Sequence, residues 1–285
     1  MKIGIVGIGL IGASLGWDLR QLGHEVIGVS RQPATCETAQ SQGICDRASC
    51  DLASLQATET IFVCTPIAAI VPTIERLIPH LHPDTIITDA GSVKGAIVDR
   101  ATVLWSNFVG GHPMAGNSES GIAAFEKGLF VDRPYVLTPT TLTVPSALNT
   151  VDELVRSLGA IVYHTTPDRH DLAVAWISHL PVMISASLIG ACLAETDPMI
   201  RDLTKKFAST GFRDTSRVGA GNPEMGMMMA QYNREALLRS LSGYRDRLDG
   251  IIDSIESNQW SQIKELLATN QVARPDFLDP QDVND

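Results

Sequence analysis

Ile3-Gly4-Ile5-Val6-Gly7-Ile8-Gly9-Leu10-Ile11-Gly12 is the stretch on which the fold turns. An apolar β-branched run ends in G-x-G-x-x-G, and Ile11, Leu15, Leu19 and Leu22 then recur at helical spacing until Gly23 closes the segment. A strand, a tight turn and a helix explain every glycine, including Gly4 and Gly16; a signal peptide explains none. In that context the three glycines have separate tasks. Gly7 permits the turn, Gly9 lets a pyrophosphate approach the backbone, and Gly12 lets helix and strand pack closely. Leu10 and Ile11 open the helix, whose first amides face the phosphates. The pattern predicts a dinucleotide-binding turn.

Outward from this turn, short β-branched runs alternate with helical patterns. Strands are predicted at 3–6, 25–29, 60–64, 85–88, 108–110, 135–137 and 161–163. Such alternation gives an α/β fold, a Rossmann-type mostly parallel sheet with helices on both faces. Near residue 166 the pattern changes. Thr166-Pro167 reads as a helix start, Asn222-Pro223 repeats it, and a long helix is predicted through Leu237, Leu241, Leu248 and Ile252. The expected domains are therefore 1–166, which binds nucleotide, and 167–285, all α, which binds substrate and dimerises. The tail after Arg274, with Pro275, Pro280 and four aspartates, reads as a solvated end too short for an appended regulatory module.

The composition, 44% hydrophobic and 19% charged, fits a packed interior. A net charge of -10 argues against a nucleic-acid partner. No stretch approaches about 18 uninterrupted apolar residues, so no membrane span is expected. Five cysteines in no zinc-like spacing suggest a reduced, cytoplasmic protein with no metal site.

The end of the second strand selects the cofactor. An NAD enzyme places a carboxylate there for the ribose 2′-hydroxyl. Here Ser30 is followed by Arg31, with Thr35 nearby. Donors and a positive charge favour a 2′-phosphate, so NADP is expected.

Two further segments sit at predicted strand ends, Thr88-Asp89-Ala90-Gly91-Ser92-Val93-Lys94 and Gly110-Gly111-His112-Pro113-Met114-Ala115-Gly116. A serine hydroxyl and an imidazole at neighbouring strand ends can hold one substrate hydroxyl. Histidine, with an unperturbed pKa of about 6.5, can accept its proton. Ser92 also reads as a cap for a helix beginning at Val93.

With these segments in order, the chain resembles the prephenate and arogenate dehydrogenase family. Thr65-Pro66, Ser178-His179-Leu180-Pro181 and Gly211-Phe212-Arg213-Asp214-Thr215-Ser216-Arg217 complete the match, which spans nearly the whole chain. The nearest likeness is to the short NADP-linked arogenate dehydrogenases. The resemblance implies oxidative decarboxylation in tyrosine biosynthesis by a homodimer. His112 would accept the substrate hydroxyl's proton, Ser92 would bond the same hydroxyl and help orient His112, and Arg217 would pair with a substrate carboxylate. His179, Asp214 and Glu119 join the substrate side; Thr65 and Pro66 join the cofactor side.

Each role has a plainer alternative. Proline at 181 frees the Ile177 carbonyl, so His179 can be structural, and Asp214 and Arg217 can form a surface ion pair. His24, His80, His82, His164 and His170 read as ordinary, and Met225, Met227, Met228 and Met229 as packing. Many prephenate-using members carry a second histidine where this chain has Val182, and some a glutamate where it has Ser118. Arogenate is therefore preferred to prephenate, with Glu119 drawing the ammonium. Competing expectations are a prephenate dehydrogenase, a β-hydroxyacid or imine reductase that leaves Ser92 and His112 idle, and a non-catalytic NADP sensor.

Overall fold

Strand β1 (Lys2–Val6) leads into helix α1 (Leu10–Gln21), and β2 (Glu25–Val29) into α2 (Pro33–Ser41) and the short β3 (Arg47–Ser49). The alternation continues through β4 (Thr60–Val63), α3 (Ile67–Leu77), β5 (Ile86–Asp89), α4 (Gly95–Leu104) and β6 (Phe108–Pro113). It closes with β7 (Pro134–Thr138), α5 (Pro145–Ser157) and β8 (Ile161–His164). The computed structural model describes residues 1–116, 119 and 121–278. Its one sheet has the order β3-β2-β1-β4-β5-β6-β7-β8. Neighbours are parallel except at β6–β7, so the sheet is mostly parallel, as the sequence predicts.

Both faces are covered because the strands alternate their apolar side chains. Ile3, Ile5 and Phe62 pack with Leu15, Leu19, Val151 and Val155 on one face. Val6, Ile61 and Ile87 pack with Ile70, Ile74 and Val98 on the other. Two strands differ from expectation. β3 was not predicted, since Arg47-Ala48-Ser49 has no apolar run; its pairing with β2 alone holds it at the edge. β6 continues three residues beyond Gly110, because Gly110, Gly111, His112 and Pro113 pair with Thr138, Leu137, Val136 and Tyr135 of β7. The two glycines serve close packing: a Cβ on Gly111 would lie 2.7 Å from the Asp89 carbonyl oxygen. His112 therefore stands on a strand and not on a loop.

Helix α6 (Pro167–Val174) starts where predicted, with the Thr166 hydroxyl accepting from the Arg169 amide. A π-helical turn, Ala175–His179, joins it to α7 (Leu180–Leu193). Together they form one helix, Pro167–Leu193, long and apolar enough to cross a membrane by length and composition alone, although His170, Asp171 and His179 interrupt its apolar run. Only 28% of its apolar window is buried, but His170, Asp171 and His179 on the same helix are buried against the sheet domain. Exposed Trp176, Ile177 and Leu193 make an apolar surface of the kind that a second protein chain covers. Helices α8 (Pro198–Phe207), α9 (Thr210–Ser216) and α10 (Pro223–Tyr232) follow, the last capped by the Asn222 side chain. Met229 of α10 is core, whereas Met225 and Met227 are exposed.

The long predicted helix is α11 (Arg234–Glu256), separated from α10 by Asn233. The chain folds as two compact units, Met1–Leu237 and Leu238–Asp285. In the second, α11 ends, α12 (Trp260–Ala273) follows, and Arg274–Phe277 forms a 3-10 turn. The rest of the predicted solvated tail, residues 279–285, lies outside the described residues. From Pro167 onward every regular element among the described residues is helical.

The packing of α7 against the turn Arg217–Ala220 gives a direct test. A Cβ on Gly219 would lie 2.5 Å from the Ser185 carbonyl carbon, whereas one on Gly211 meets nothing within 4 Å. Gly219→Ala is expected to cost about 1–3 kcal/mol in denaturant unfolding, and Gly211→Ala to stay within about 0.5 kcal/mol. Equal effects would contradict this packing.

Candidate active site

The turn after β1 has the shape that the sequence requires. Gly7 has φ +96°, and its amide donates to the Val29 carbonyl at 2.9 Å, tying the turn to the end of β2. A Cβ on Gly12 would overlap the Gly7 carbonyl, so helix and turn touch there. A Cβ on Gly9 meets nothing within 4 Å, which leaves open space at the start of α1 beside Leu10 and Ile11. Thr65, against Gly7 just after β4, has a buried hydroxyl with no hydrogen-bond partner among the described residues, and the neighbouring Pro66 is exposed. At the end of β2, Ser30 accepts from the Gln32 amide and Thr35 contacts the Gln32 side chain, while Arg31 is exposed. Open backbone, an orphaned hydroxyl and an exposed guanidinium fit a dinucleotide along this edge.

His112 is 8% exposed at the end of β6. Its Nδ1 lies 2.8 Å from Nε2 of His170, and Nδ1 of His170 lies 2.8 Å from Oδ1 of Asp171. The carboxylate can only accept, so His170 donates from Nδ1, and with this ring neutral its Nε2 is bare. That nitrogen in turn takes the proton of His112 Nδ1, leaving Nε2 of His112 as the acceptor. Burial pushes the His112 pKa well below its ordinary 6.5, and the proximity of His170, of the Lys94 ammonium and of His179 adds to this. The ring is thus held neutral with its lone pair directed away from the relay. His170, read as ordinary from the sequence, is central, and only folding reveals it, because 58 residues separate it from His112.

Asp171 does more than orient His170. Its carboxylate accepts from the backbone amides of Lys94 and Gly95, both at 2.8 Å, and so caps α4 from another element. This corrects the reading of Ser92 as a cap: α4 begins at Gly95, and its first amides belong to Asp171. The Ser92 hydroxyl is half-buried with no hydrogen bond among the described residues, so His170 and not Ser92 orients His112.

His179 is fully buried at the end of the π turn. In an unbroken α-helix at 3.6 residues per turn, His170 and His179 would point roughly 180° apart. The wider π turn brings both inward. The Asn233 amide donates to the Asp171 carbonyl at 2.8 Å and to Nδ1 of His179 at 3.1 Å. His179 then carries its proton on Nε2, which is buried and has no partner among the described residues. Burial lowers its pKa to about 4, against the opposing pull of Asp171, so the ring is a neutral donor. Asn233 was not anticipated; its only signal is a polar residue interrupting an apolar helical pattern.

Beneath His112 lies a buried ion pair. Lys94 Nζ, fully enclosed, donates to Asp89 Oδ2 and to the Gly111 carbonyl, the latter at 2.6 Å. Asp89 also accepts from the Gly91 and Gly111 amides. Burial lowers the Lys94 pKa against the opposing pull of Asp89, and the pair fixes the peptide just before His112.

The remaining predicted residues lie on the surface. Asp214 pairs with Arg213 at 2.8 Å and not with Arg217, so the plainer alternative of an Asp214–Arg217 ion pair is not formed among the described residues. Arg217 is exposed and makes no ion pair among the described residues. Glu119 is exposed, and Ser118 lies outside the described residues.

A neutral proton acceptor and a phosphate-binding turn at the same edge of one sheet, after β6 and β1, are what a dinucleotide-linked dehydrogenase acting on an alcohol requires. Comparison with known proteins agrees. The nucleotide-binding domain model of prephenate dehydrogenase matches residues 15–164, and the prephenate dehydrogenase dimerization domain model matches residues 166–269. The chain belongs to the prephenate dehydrogenase family, whose members include arogenate-using enzymes. It is 54% identical to a Synechocystis arogenate dehydrogenase of known structure, with a TM-score of 0.88 over 98% of this chain and 100% of that one. A prephenate dehydrogenase from A. aeolicus, solved with hydroxyphenyl propionate and NAD+, is 25% identical, with a TM-score of 0.92 over 98% of each chain. The prephenate dehydrogenase of Bacillus subtilis is 31% identical over 88% of this chain and 69% of its own length.

The relay predicts a pH profile. Only the neutral His112 ring accepts a proton, and its pKa is lowered, so kcat should rise with pH along a limb below 6.5 and then stay flat. Asp171→Asn should cut kcat by roughly 10- to 100-fold with dinucleotide affinity retained. A wild-type limb at or above 6.5, or an unchanged kcat in the variant, would contradict the relay.

Proposed function

We propose that this chain catalyses the NADP-dependent oxidative decarboxylation of arogenate to tyrosine, as a cytoplasmic homodimer with a nucleotide-binding domain over residues 1–166 and a helical domain over 167–285. The observation that carries the reaction type is the buried, neutral His112, with Nε2 left free by the His170–Asp171 chain. The 54% identity to an arogenate dehydrogenase supports the substrate.

What the dinucleotide supplies when bound is an acceptor for the hydride of the hydroxyl-bearing ring carbon. Gly7, Gly9, Leu10, Ile11, Gly12, Thr65 and Pro66 would hold it, with Ser30, Arg31 and Thr35 at the ribose end. His112 Nε2 takes the substrate hydroxyl's proton as the ring carboxylate leaves as carbon dioxide and the ring becomes aromatic. Ser92 donates to the same hydroxyl. The proton on His112 leaves a cation whose Nδ1–H is already held by His170, with the Asp171 carboxylate behind it; a carboxylate fixes a histidine in the same way in hydrolase triads. His179 donates from Nε2 to the substrate, and Arg217 pairs with its carboxylate. Asp214, paired with Arg213, keeps a negative charge beside Arg217 and helps set its position.

Two observations favour a second reading, a prephenate dehydrogenase using NAD: the B. subtilis relative's name and the NAD+ in the A. aeolicus structure. The absence of a carboxylate at Ser30-Arg31 and the presence of Val182 in place of a second histidine support the first reading.

Arg31→Ala should weaken NADP by roughly 10- to 150-fold, the worth of a charged hydrogen bond, and leave NAD nearly untouched. Equal losses for both, measured by fluorescence titration, would remove the 2′-phosphate role.

Turnover of arogenate and prephenate with each cofactor tests the substrate. Arogenate with NADP is expected to be best. Glu119 is exposed in this structure; turned toward a bound substrate, its carboxylate would attract the arogenate ammonium, an interaction on the order of 4 kcal/mol at 4 Å and a dielectric of 20, before desolvation. Glu119→Gln should therefore lower kcat/KM on arogenate more than on prephenate, and Val182→His should raise prephenate use. A wild-type preference for prephenate would overturn the assignment.

A further inference from the structure

Cys36, in the first turns of α2, and Cys50, just after β3, face each other at the edge of the sheet with their Sγ atoms 4.0 Å apart. Cys36 is buried and Cys50 is exposed. The Cys36 thiol donates to the Ser49 carbonyl at 3.3 Å and lies 3.8 Å from the Ser30 carbonyl. The Ser30 amide donates to the same Ser49 carbonyl at 3.1 Å. The two sulfurs thus bracket the backbone that presents Ser30 and Arg31. No other pair of cysteines is in contact among the described residues.

We propose that Cys36 and Cys50 form a thiol–disulfide exchange site for small-molecule disulfides, and that closing their bond loosens the grip on the cofactor's ribose end. The second half rests on the reading of Ser30 and Arg31 given above. The Cys50 thiolate attacks one sulfur of a disulfide R–S–S–R, forming a mixed disulfide and releasing one thiolate. The Cys36 thiolate then attacks Cys50 Sγ, the Cys36–Cys50 bond forms, and the second R–S⁻ leaves. Two protein thiols lose two electrons and two protons, and one small disulfide gains them as two thiols. The sulfurs must close from 4.0 Å to about 2.05 Å. The three-residue edge strand β3, paired only to β2, can give way by this amount. As the Cys36 sulfur turns, it leaves the Ser49 and Ser30 carbonyls, and the segment carrying Arg31 loses that support.

The test incubates the full-length reduced protein with glutathione disulfide, then measures intact mass, alkylates the denatured chain and titrates dinucleotide. The expected product has lost two hydrogens, keeps three of its five thiols and yields a Cys36–Cys50 cross-linked peptide. Its dinucleotide affinity is weaker by about two- to tenfold, the worth of one hydrogen bond, and dithiothreitol restores it. Cys50→Ser should show neither change. Five surviving thiols, a stable glutathione adduct on Cys50, or cross-links between copies would overturn the exchange site and leave the cofactor reading standing. A closed bond with unchanged affinity would overturn the coupling. If Arg31→Ala also binds dinucleotide normally, the cofactor reading is the part that failed.

Discussion

The Asp171 carboxylate accepts three hydrogen bonds, from the His170 ring and from the amides of Lys94 and Gly95. It lies near the start of α6, the first helix after the sheet, yet it caps α4, which belongs to the sheet's own layer. One side chain thereby couples where the helical region docks to which nitrogen of His112 carries a proton. A carboxylate in that place suits the positive end of α4. Its acceptor-only chemistry is what gives the relay a direction.

Around this group the site divides its labour. His112 is a neutral acceptor because His170 takes its Nδ1 proton, and His179 is a neutral donor because Asn233 occupies its Nδ1. Burial keeps both rings uncharged, and the Asp89–Lys94 pair below them supplies a rigid floor without a net charge. Such a site can take a proton in one direction and give a hydrogen bond in another with no charged histidine present beforehand. Taking charges out of water is costly, and a buried pair is tolerated where every oxygen and N–H is engaged. Asp89 meets this condition through Lys94 and the Gly91 and Gly111 amides.

The turn at Gly7 to Gly12 was legible in the sequence because its physics is local: close approach and a positive φ leave a glycine signature within six residues. His112 was legible because Gly110 and Gly111 beside it mark tight packing, although the strand was expected to stop earlier. The β6–β7 pairing that extends it joins residues about 25 apart, which no local pattern announces. His170 and Asn233 escaped for the same reason, since their partners lie 58 and 54 residues away. A His-Asp pair just inside a well-marked helix start was the available clue. The π turn was hidden too; Pro181 signalled a disturbed helix but not the inward rotation that makes His179 a donor. β3 had no signal, being three residues with little apolar content.

The tautomer of His112 is the point on which the account stands. Long-range proton–nitrogen correlation NMR on protein with 15N-labelled imidazoles, assigned with His112→Asn, reads it directly. At neutral pH the account predicts a neutral His112 ring with the proton on Nδ1 and a bare Nε2, and a His179 ring with the reverse arrangement. A protonated Nε2 on His112, whether as the other tautomer or as an imidazolium, would contradict it.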